Sequence, residues 1–212
     1  MLVASSAALN QQRYRFSTAL LLVVVFLPRA LAIPAGRIVP LAFNGDVQAD
    51  VPAGDDFVAV AAGNGHNLAL KSDGSLVAWG TNYAGETSDT PLGNNFTAIA
   101  TGGTHSLALK SDGTLAAWGL NTSGSATVPP GNNFVAIDGG QQHSVALKSD
   151  GSLAAFGPNS SGEINVPLGN DYTAISAGEF HSLALKSNGS IVASATVQAN
   201  PDGGGCPRVR GS

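Results

Sequence analysis

The sequence predicts an all-β chain of about four repeated blades, each a small antiparallel sheet. Three observations carry this reading. The histidines His66, His105, His143 and His181 stand 39, 38 and 38 residues apart. Lys71, Lys110, Lys148 and Lys186 keep the same spacing, and these are all the His and Lys in the chain. Residue types that usually scatter over a surface each occur once per unit, so the repeat is real. Next, Asp-Gly at 73–74, 112–113 and 150–151 separates two apolar runs, and Asn188-Gly189 does so in the fourth unit. That dipeptide marks a hairpin, because the tight turn needs positive φ. Last, charged residues are only 11% while Gly numbers 27 of 212. Low charge with much Gly, Ala, Val and Leu suits packed sheet and tight turns, not disorder.

In chain order, residues 1–32 read as a secretory signal peptide. Arg13 and Arg15 precede an apolar run from Ala19 to Leu27, and Ala30-Leu31-Ala32 supplies the cleavage site. The run is short of the roughly 20 residues that span a bilayer. Cleavage after Ala32 leaves 7 Lys and Arg against 14 Asp and Glu, a formal charge of −7. A basic footprint for nucleic acid is absent, and no second apolar stretch of spanning length follows. The expected location is extracellular or periplasmic.

Residues 33–56 form a partial unit. Its end, VPAGDD, matches the later VPPGNN, and Ile38-Val39 stands for Leu76-Val77. The units then run 57–95, 96–133, 134–171 and 172–192, the last incomplete. Each opens with a small-and-branched strand such as FVAVAAG or FTAIATG. HxLALK follows, then Ser-Asp-Gly, then SLVAWG or its equivalent. An Asn-x-x-Gly loop and a Pro-containing link close the unit, with a short fourth strand expected between them. In the fourth unit Ser194 stands where Trp79, Trp118 and Phe156 stand earlier. Residues 193–212 are a Gly-rich tail holding Cys206, the only cysteine, so no disulfide can form within one chain.

The pattern Gly102-Gly-Thr-His105-Ser-Leu-Ala-Leu-Lys-Ser-Asp112-Gly113 to Trp118-Gly119-Leu-Asn121-Thr-Ser-Gly124 resembles the RCC1-like repeats (regulator of chromosome condensation type) of a β-propeller family. The resemblance covers about 57–192. It implies a β-propeller of about four blades, a small closed ring or an incomplete open arc. The family usually has seven blades, and its repeats are longer. Its namesake exchanges guanine nucleotide on a nuclear GTPase, which is not expected of an exported chain lacking the insertions and a basic tail. Secreted relatives in the same architectural group bind and inhibit β-lactamase. The missing fourth Trp favours an open arc, whose free edges would invite self-association.

Chemistry is not conspicuous. Alternation puts His105, Leu107 and Leu109 on one strand face, so His66, His105, His143 and His181 read as structural positions, as do Trp79, Trp118 and Phe156 as wedges between blades. Four ring-related His could in principle hold a metal, but a plug beside two Leu accounts for each one. Asp73, Asp112 and Asp150 have turn roles. The chain resembles no sialidase, since no Arg lies between Ile38 and Pro207. No nucleophile elbow, P-loop or zinc helix motif occurs. The expectation is a non-enzyme without cofactor or metal. Sequons at Asn95, Asn121, Asn159 and Asn188 are glycosylation candidates in a eukaryotic host.

The repeats differ from one another in two places. One is the pair before each His: Asn64-Gly65, Gly103-Thr104, Gln141-Gln142 and Glu179-Phe180. The other is the loop after each Trp or Phe, including Tyr83. Both loops emerge on the same side of an up-and-down blade. Asn64, Tyr83, Thr104, Gln141, Gln142, Glu179 and Phe180 are therefore the candidate contacts for a protein partner. A glycan is the alternative ligand, and inhibition of a secreted enzyme the alternative role.

Overall fold

The computed structural model describes residues 35–40 and 49–194. The signal-peptide reading, Cys206 and the tail beyond Ser194 lie outside them, whereas Ala193 and Ser194, read as tail, belong to the last strand. Among the described residues, twelve strands form four three-stranded antiparallel sheets. Blade 1 holds β1 (Phe57–Ala62), β2 (His66–Lys71) and β3 (Leu76–Gly80). Blade 2 holds β4 (Phe96–Thr101), β5 (His105–Lys110) and β6 (Leu115–Gly119). Blade 3 holds β7 (Phe134–Gly139), β8 (Ser144–Lys148) and β9 (Leu153–Phe156). Blade 4 holds β10 (Tyr172–Ala177), β11 (Ser182–Lys186) and β12 (Ile191–Ser194). No helix among the described residues is long and apolar enough to cross a membrane.

Each sheet runs in sequence order with the His strand in the middle. The first strand carries a bulge after its aromatic residue, as between Phe96 and Ala98. The aromatics Phe57, Phe96, Phe134 and Tyr172 are all buried. Three of the repeat lysines lie over these rings: Lys71 over Phe57, Lys148 over Phe134 and Lys186 over Tyr172, at 5.6, 5.8 and 5.2 Å from the centroids. Lys71 and Lys186 also reach Asp56 and Asp171 at 3.2 and 3.3 Å. So the lysine caps its own blade's aromatic while its head stays near solvent.

The two faces of a blade have different partners. On the middle strand, His and two apolar residues point toward the following blade, and Ser and Ala toward the preceding one. Leu68, Leu70, Leu76 and Ala78 thus pack on Phe96, Ile99, Ala108, Ala116 and Trp118. The next junction joins Leu107, Leu109, Leu115 and Ala117 to Phe134, Ile137, Ala146, Ala154 and Phe156. Ala108 and Ala146 are fully buried, since only a methyl fits where one sheet presses on another. A single three-stranded sheet has no core of its own; the core is the sum of these junctions.

Backbone bonds stitch neighbouring blades at the Ser-Asp-Gly turns. The Phe96 N–H donates to the Gly74 carbonyl and the Ser111 N–H to the Asn95 carbonyl, at 3.1 and 2.8 Å. Phe134 and Gly113, then Tyr172 and Gly151, repeat the first contact. The turn glycines have φ near +80°. A Cβ on Gly113 would meet the Asn132 carbonyl oxygen, while one on Gly189 would meet nothing within 4 Å. The partial unit joins this system: Phe57 N–H donates to the Gly36 carbonyl at 3.2 Å, and Gly36 N–H to the Phe57 carbonyl at 2.9 Å. Gly36 therefore stands where a preceding turn glycine would stand.

The expected fourth strand is not formed: the segments between β3 and β4, β6 and β7, and β9 and β10 are turns and bends. Side chains take the backbone donors that a ladder would need. Asn82 Oδ1 accepts from the amides of Thr87 and Ser88, both at 3.1 Å, and Glu86 Oε2 from Ala84 at 2.7 Å. Asn121 and Asn159 act likewise on Ala126 and Ile164.

Among the described residues, blade 4 is the last of an open arc. Its outward face carries Leu183 at 37%, Leu185 at 38% and Ile191 at 68% exposure, whereas Leu68, Leu107 and Val145, which stand where Leu183 does, show 0 to 1%. Trp118 and Phe156 are buried, whereas Trp79, on the first blade, is only half-buried. Truncating Trp118 to Ala is expected to cost roughly 3–5 kcal/mol, and Trp79 about 1–2 kcal/mol, by chemical denaturation. Equal losses would contradict the blade-against-blade wedge. In the same assay Gly113→Ala is expected to be far more damaging than Gly189→Ala, because only the first meets a neighbouring backbone.

Candidate functional site

The loops before the four histidines converge at one end of the arc. Gly103 N–H lies 3.2 Å from the Gly140 carbonyl and 3.1 Å from that of Gln141. Gln141 N–H donates to the Glu179 carbonyl at 3.3 Å. Asn64 Nδ2 donates to Gln141 Oε1 at 3.2 Å, linking blade 1 to blade 3 across 77 residues of sequence. The loops following the third strands lie alongside: Thr81 N–H donates to the Gly65 carbonyl and Leu120 N–H to that of Thr104, both at 2.8 Å. Asn64, Thr104, Gln141 and Glu179 are thereby brought to one face. Gln142 and Glu179 are exposed, Thr104 and Gln141 half-buried. Phe180 is 52% exposed beside Glu179, and Tyr83 is 86% exposed on the outer Asn82–Gly85 turn. The invariant Asp turns lie at the opposite end, each Asp bonded to the Ser or Thr two residues on. Those bonds hold the Asp73, Asp112 and Asp150 carboxyls below the usual range.

Beneath the loop face runs a buried row of His–Ser pairs. His66 Nε2 meets Ser106 Oγ at 3.0 Å, His105 meets Ser144 at 2.9 Å, and His143 meets Ser182 at 2.9 Å. Ser144 and Ser182 donate their hydroxyl protons to the Ser125 and Glu163 carbonyls, each at 3.0 Å. Their oxygens must then accept from His105 and His143, which fixes the proton on Nε2. Each ring abuts the glycine three residues before it: a Cβ on Gly102 would overlap His105 Cε1 and Nδ1. His105 Nδ1 is buried without a hydrogen-bond partner.

Burial pushes all three imidazoles below their ordinary value. Glu86 opposes this at His66 and Glu163 at His143. The equivalent residue beside His105 is Ser125. Burial, with His66 and His143 on either side, brings His105 down to about 4. His181 departs from the series, since it is exposed.

Two buried acids stand out in the structure but not in the sequence, Glu86 and Glu163, at 1% and 3% exposure. Their signal is present all the same, because the residue after each Asn-x-x-Gly reads Glu, Ser, Glu. Burial raises the Glu163 carboxyl, but the amides of Glu163 and Ser161, the Ser160 hydroxyl and His143 bring it below the usual value overall. Asp138 is a third acid with structural partners, half-buried rather than buried. It replaces the small residue of other inner strands and accepts from Gly139 N–H at 2.9 Å and Ala177 N–H at 2.8 Å, tying blade 3 to blade 4. Burial raises its pKa against those bonds. Among the described residues, no three His, Cys, Asp or Glu side chains converge as a metal site would require.

The family model described as "Regulator of chromosome condensation (RCC1) repeat" matches residues 57–86 and 96–125. Both matched segments lie in the first two blades, each beginning at the first strand of its blade. Solved structures agree on the fold. The ectodomain of the Physcomitrella patens receptor kinase CR4 matches with a TM-score of 0.59 at 23% identity, covering 68% of this chain and 42% of that one. Prp20p of Saccharomyces cerevisiae matches at 0.58 and 24%, covering 65% and 44%. The CRINKLY WD40 ectodomain of the Arabidopsis thaliana receptor kinase ACR4 matches at 0.56 and 25%, covering 66% and 51%. The chain thus spans about half or less of each of these three solved chains. Comparison with curated proteins gives no match.

The buried His–Ser row sets the acid response to be expected. A buried His with a depressed pKa binds fewer protons folded than unfolded, so stability is full above about 6.5 and is lost as pH falls toward 4. For His105 alone the loss is on the order of 3 kcal/mol. Unfolding free energies at pH 7.5 and 4.5 should differ accordingly, and His105→Gln should flatten the difference. A pH-independent wild type would contradict the buried neutral row.

Proposed function

We propose that this chain is an exported, non-enzymatic RCC1-type propeller that binds a protein through its loop face. The observation that carries the reading is the convergence of the variable residues Asn64, Thr104, Gln141 and Glu179 through interlocked loops. Variation between repeats collects where the backbone is held rigid by the neighbouring blade. That combination gives a preorganised surface with adaptable side chains. Tyr83 and Phe180 add exposed aromatics suited to anchoring a partner.

Other features support a binding role over a catalytic one. The conspicuous repeated polar side chains, the His–Ser row, are consumed between blades rather than presented to solvent. Prp20p, built from blades of the same fold, has binding properties toward Gsp1p and histones. The CR4 and ACR4 structures are receptor ectodomains, which suits an extracellular propeller. Nucleotide exchange is not part of the proposal, since the chain spans 44% of Prp20p.

The test begins with capture of a binder from the secreted proteins of the producing organism, alongside a glycan array. Tyr83→Ala and Phe180→Ala are expected to weaken protein binding by about tenfold or more, and Ser111→Ala on the opposite end to leave it unchanged. Equal effects from all three substitutions, or a glycan as the only ligand, would overturn the reading.

A further inference from the structure

We infer that Glu179 and Phe180, on the loop face, receive a lysine or arginine side chain of the bound protein. This rests on the loop-face reading above and adds the chemistry of the partner. An acid directly precedes an aromatic residue three times in the chain, at Asp56-Phe57, Asp171-Tyr172 and Glu179-Phe180. The first two pairs hold a lysine in the same way. Lys71 Nζ lies 3.2 Å from Asp56 Oδ2 and 5.6 Å from the centre of the Phe57 ring. Lys186 Nζ lies 3.3 Å from Asp171 Oδ2 and 5.2 Å from the centre of the Tyr172 ring. Where Asn133 precedes the ring instead, Lys148 keeps only its place over Phe134, at 5.8 Å. The carboxylate supplies charge and the ring a second attraction, so the pair selects a cation on an apolar stem.

The third pair has the same chemistry and no cation of its own. Phe57 and Tyr172 are buried, whereas Phe180 is 52% exposed, with Glu179 exposed beside it. Among the described residues, Glu179 makes no ion pair and no cation lies over Phe180. The four lysines are committed elsewhere: each is paired by register with the first residue of its blade, at the Asp-turn end. Arg37, the one arginine among the described residues, follows Gly36, which bridges to Phe57 at that same end. Among the described residues the loop end therefore carries no Lys or Arg. The Glu179 carbonyl accepts from Gln141 N–H at 3.3 Å, so carboxylate and ring are presented from a tethered backbone. A cation on the partner gains both attractions without displacing one already there.

Selection of random phage-displayed peptides on the immobilised full chain tests this. The peptides that bind are expected to be enriched in Lys and Arg. Affinity for a selected peptide is expected to fall roughly threefold to tenfold with Glu179→Gln, and likewise with Phe180→Leu, which keeps an apolar side chain but removes the ring. Asp55→Asn makes the same charge change at an exposed position of the opposite end and is expected to leave affinity unchanged. Glu179 and Phe180 both face solvent, so the circular dichroism spectrum should not change. Peptides that depend on Tyr83 and Phe180 yet lack basic residues would overturn this inference and leave the loop-face reading standing. Basic peptides weakened equally by Asp55→Asn, or no selected peptide at all, would overturn it too. Capture that requires Arg208→Gln and Arg210→Gln would give the place to the chain's own tail and also overturn it. Peptides indifferent to Tyr83, Phe180 and Glu179 would overturn both the inference and the reading beneath it.

Discussion

The fold depends on one blade lying close enough to the next for an imidazole to fill the gap. His105 sits against Gly102, where any Cβ would collide with the ring, and reaches Ser144 of the following blade. A sheet of three short strands cannot bury its own apolar face, so stability is a chain of such contacts. The contact uses a neutral imidazole because the site is dry and crowded. Its Nδ1 has no acceptor to which a second proton could be donated. The apolar packing around it supplies most of the favourable free energy, and the His–Ser pair sets the register at which that packing can occur.

From this constraint follows the division between the two ends of the arc. At one end the turn glycine of each blade accepts from the first residue of the next, and the link's Asn or Asp carbonyl accepts from the following blade's Ser amide. There the positive-φ glycine has no room for a Cβ and the turn Asp bonds the side chain two residues on, so residue type is fixed and the sequence barely changes from unit to unit. At the other end the blades are joined chiefly by main-chain bonds, such as Gln141 to Glu179. Backbone contacts do not specify side chains. The residues before each His can therefore differ while the loops remain ordered, which is the physical basis for placing recognition there.

Much of this is legible in the sequence because the repeats act as an internal alignment. The spacing of His and Lys marks the blades, and Asp-Gly marks the hairpins whose middle strands carry HxLALK. The fourth strand is where the sequence misleads. Asn-x-x-Gly looks like a loop leading into a strand, yet the Asn side chain caps the amides five and six residues on and holds the segment in turns. Such local capture competes with pairing and leaves no periodicity to detect. Asp138 and the buried Glu86 are hidden for another reason. A single acid within a repeat looks like surface variation until its partners, here the Ala177 and Ala84 amides, are placed beside it.

The substitution of Ser194 for Trp shows how the repeat adapts at its end. In blade 2, Trp118 fills the space against the preceding blade and its indole N–H donates to the Glu86 carbonyl at 2.9 Å. In blade 4, the Ser194 hydroxyl donates to the equivalent Glu163 carbonyl, also at 2.9 Å, and Ser182 shares that acceptor. The polar half of the Trp interaction is thus kept while its bulk is lost. Phe156 makes the opposite choice in blade 3, keeping the bulk and leaving the Ser125 carbonyl to Ser144. The position therefore has two separable requirements, a filled volume and a satisfied carbonyl. Blade 4 meets only the second, so its junction with blade 3 rests on fewer apolar contacts, centred on Leu147, Tyr172 and Ala184.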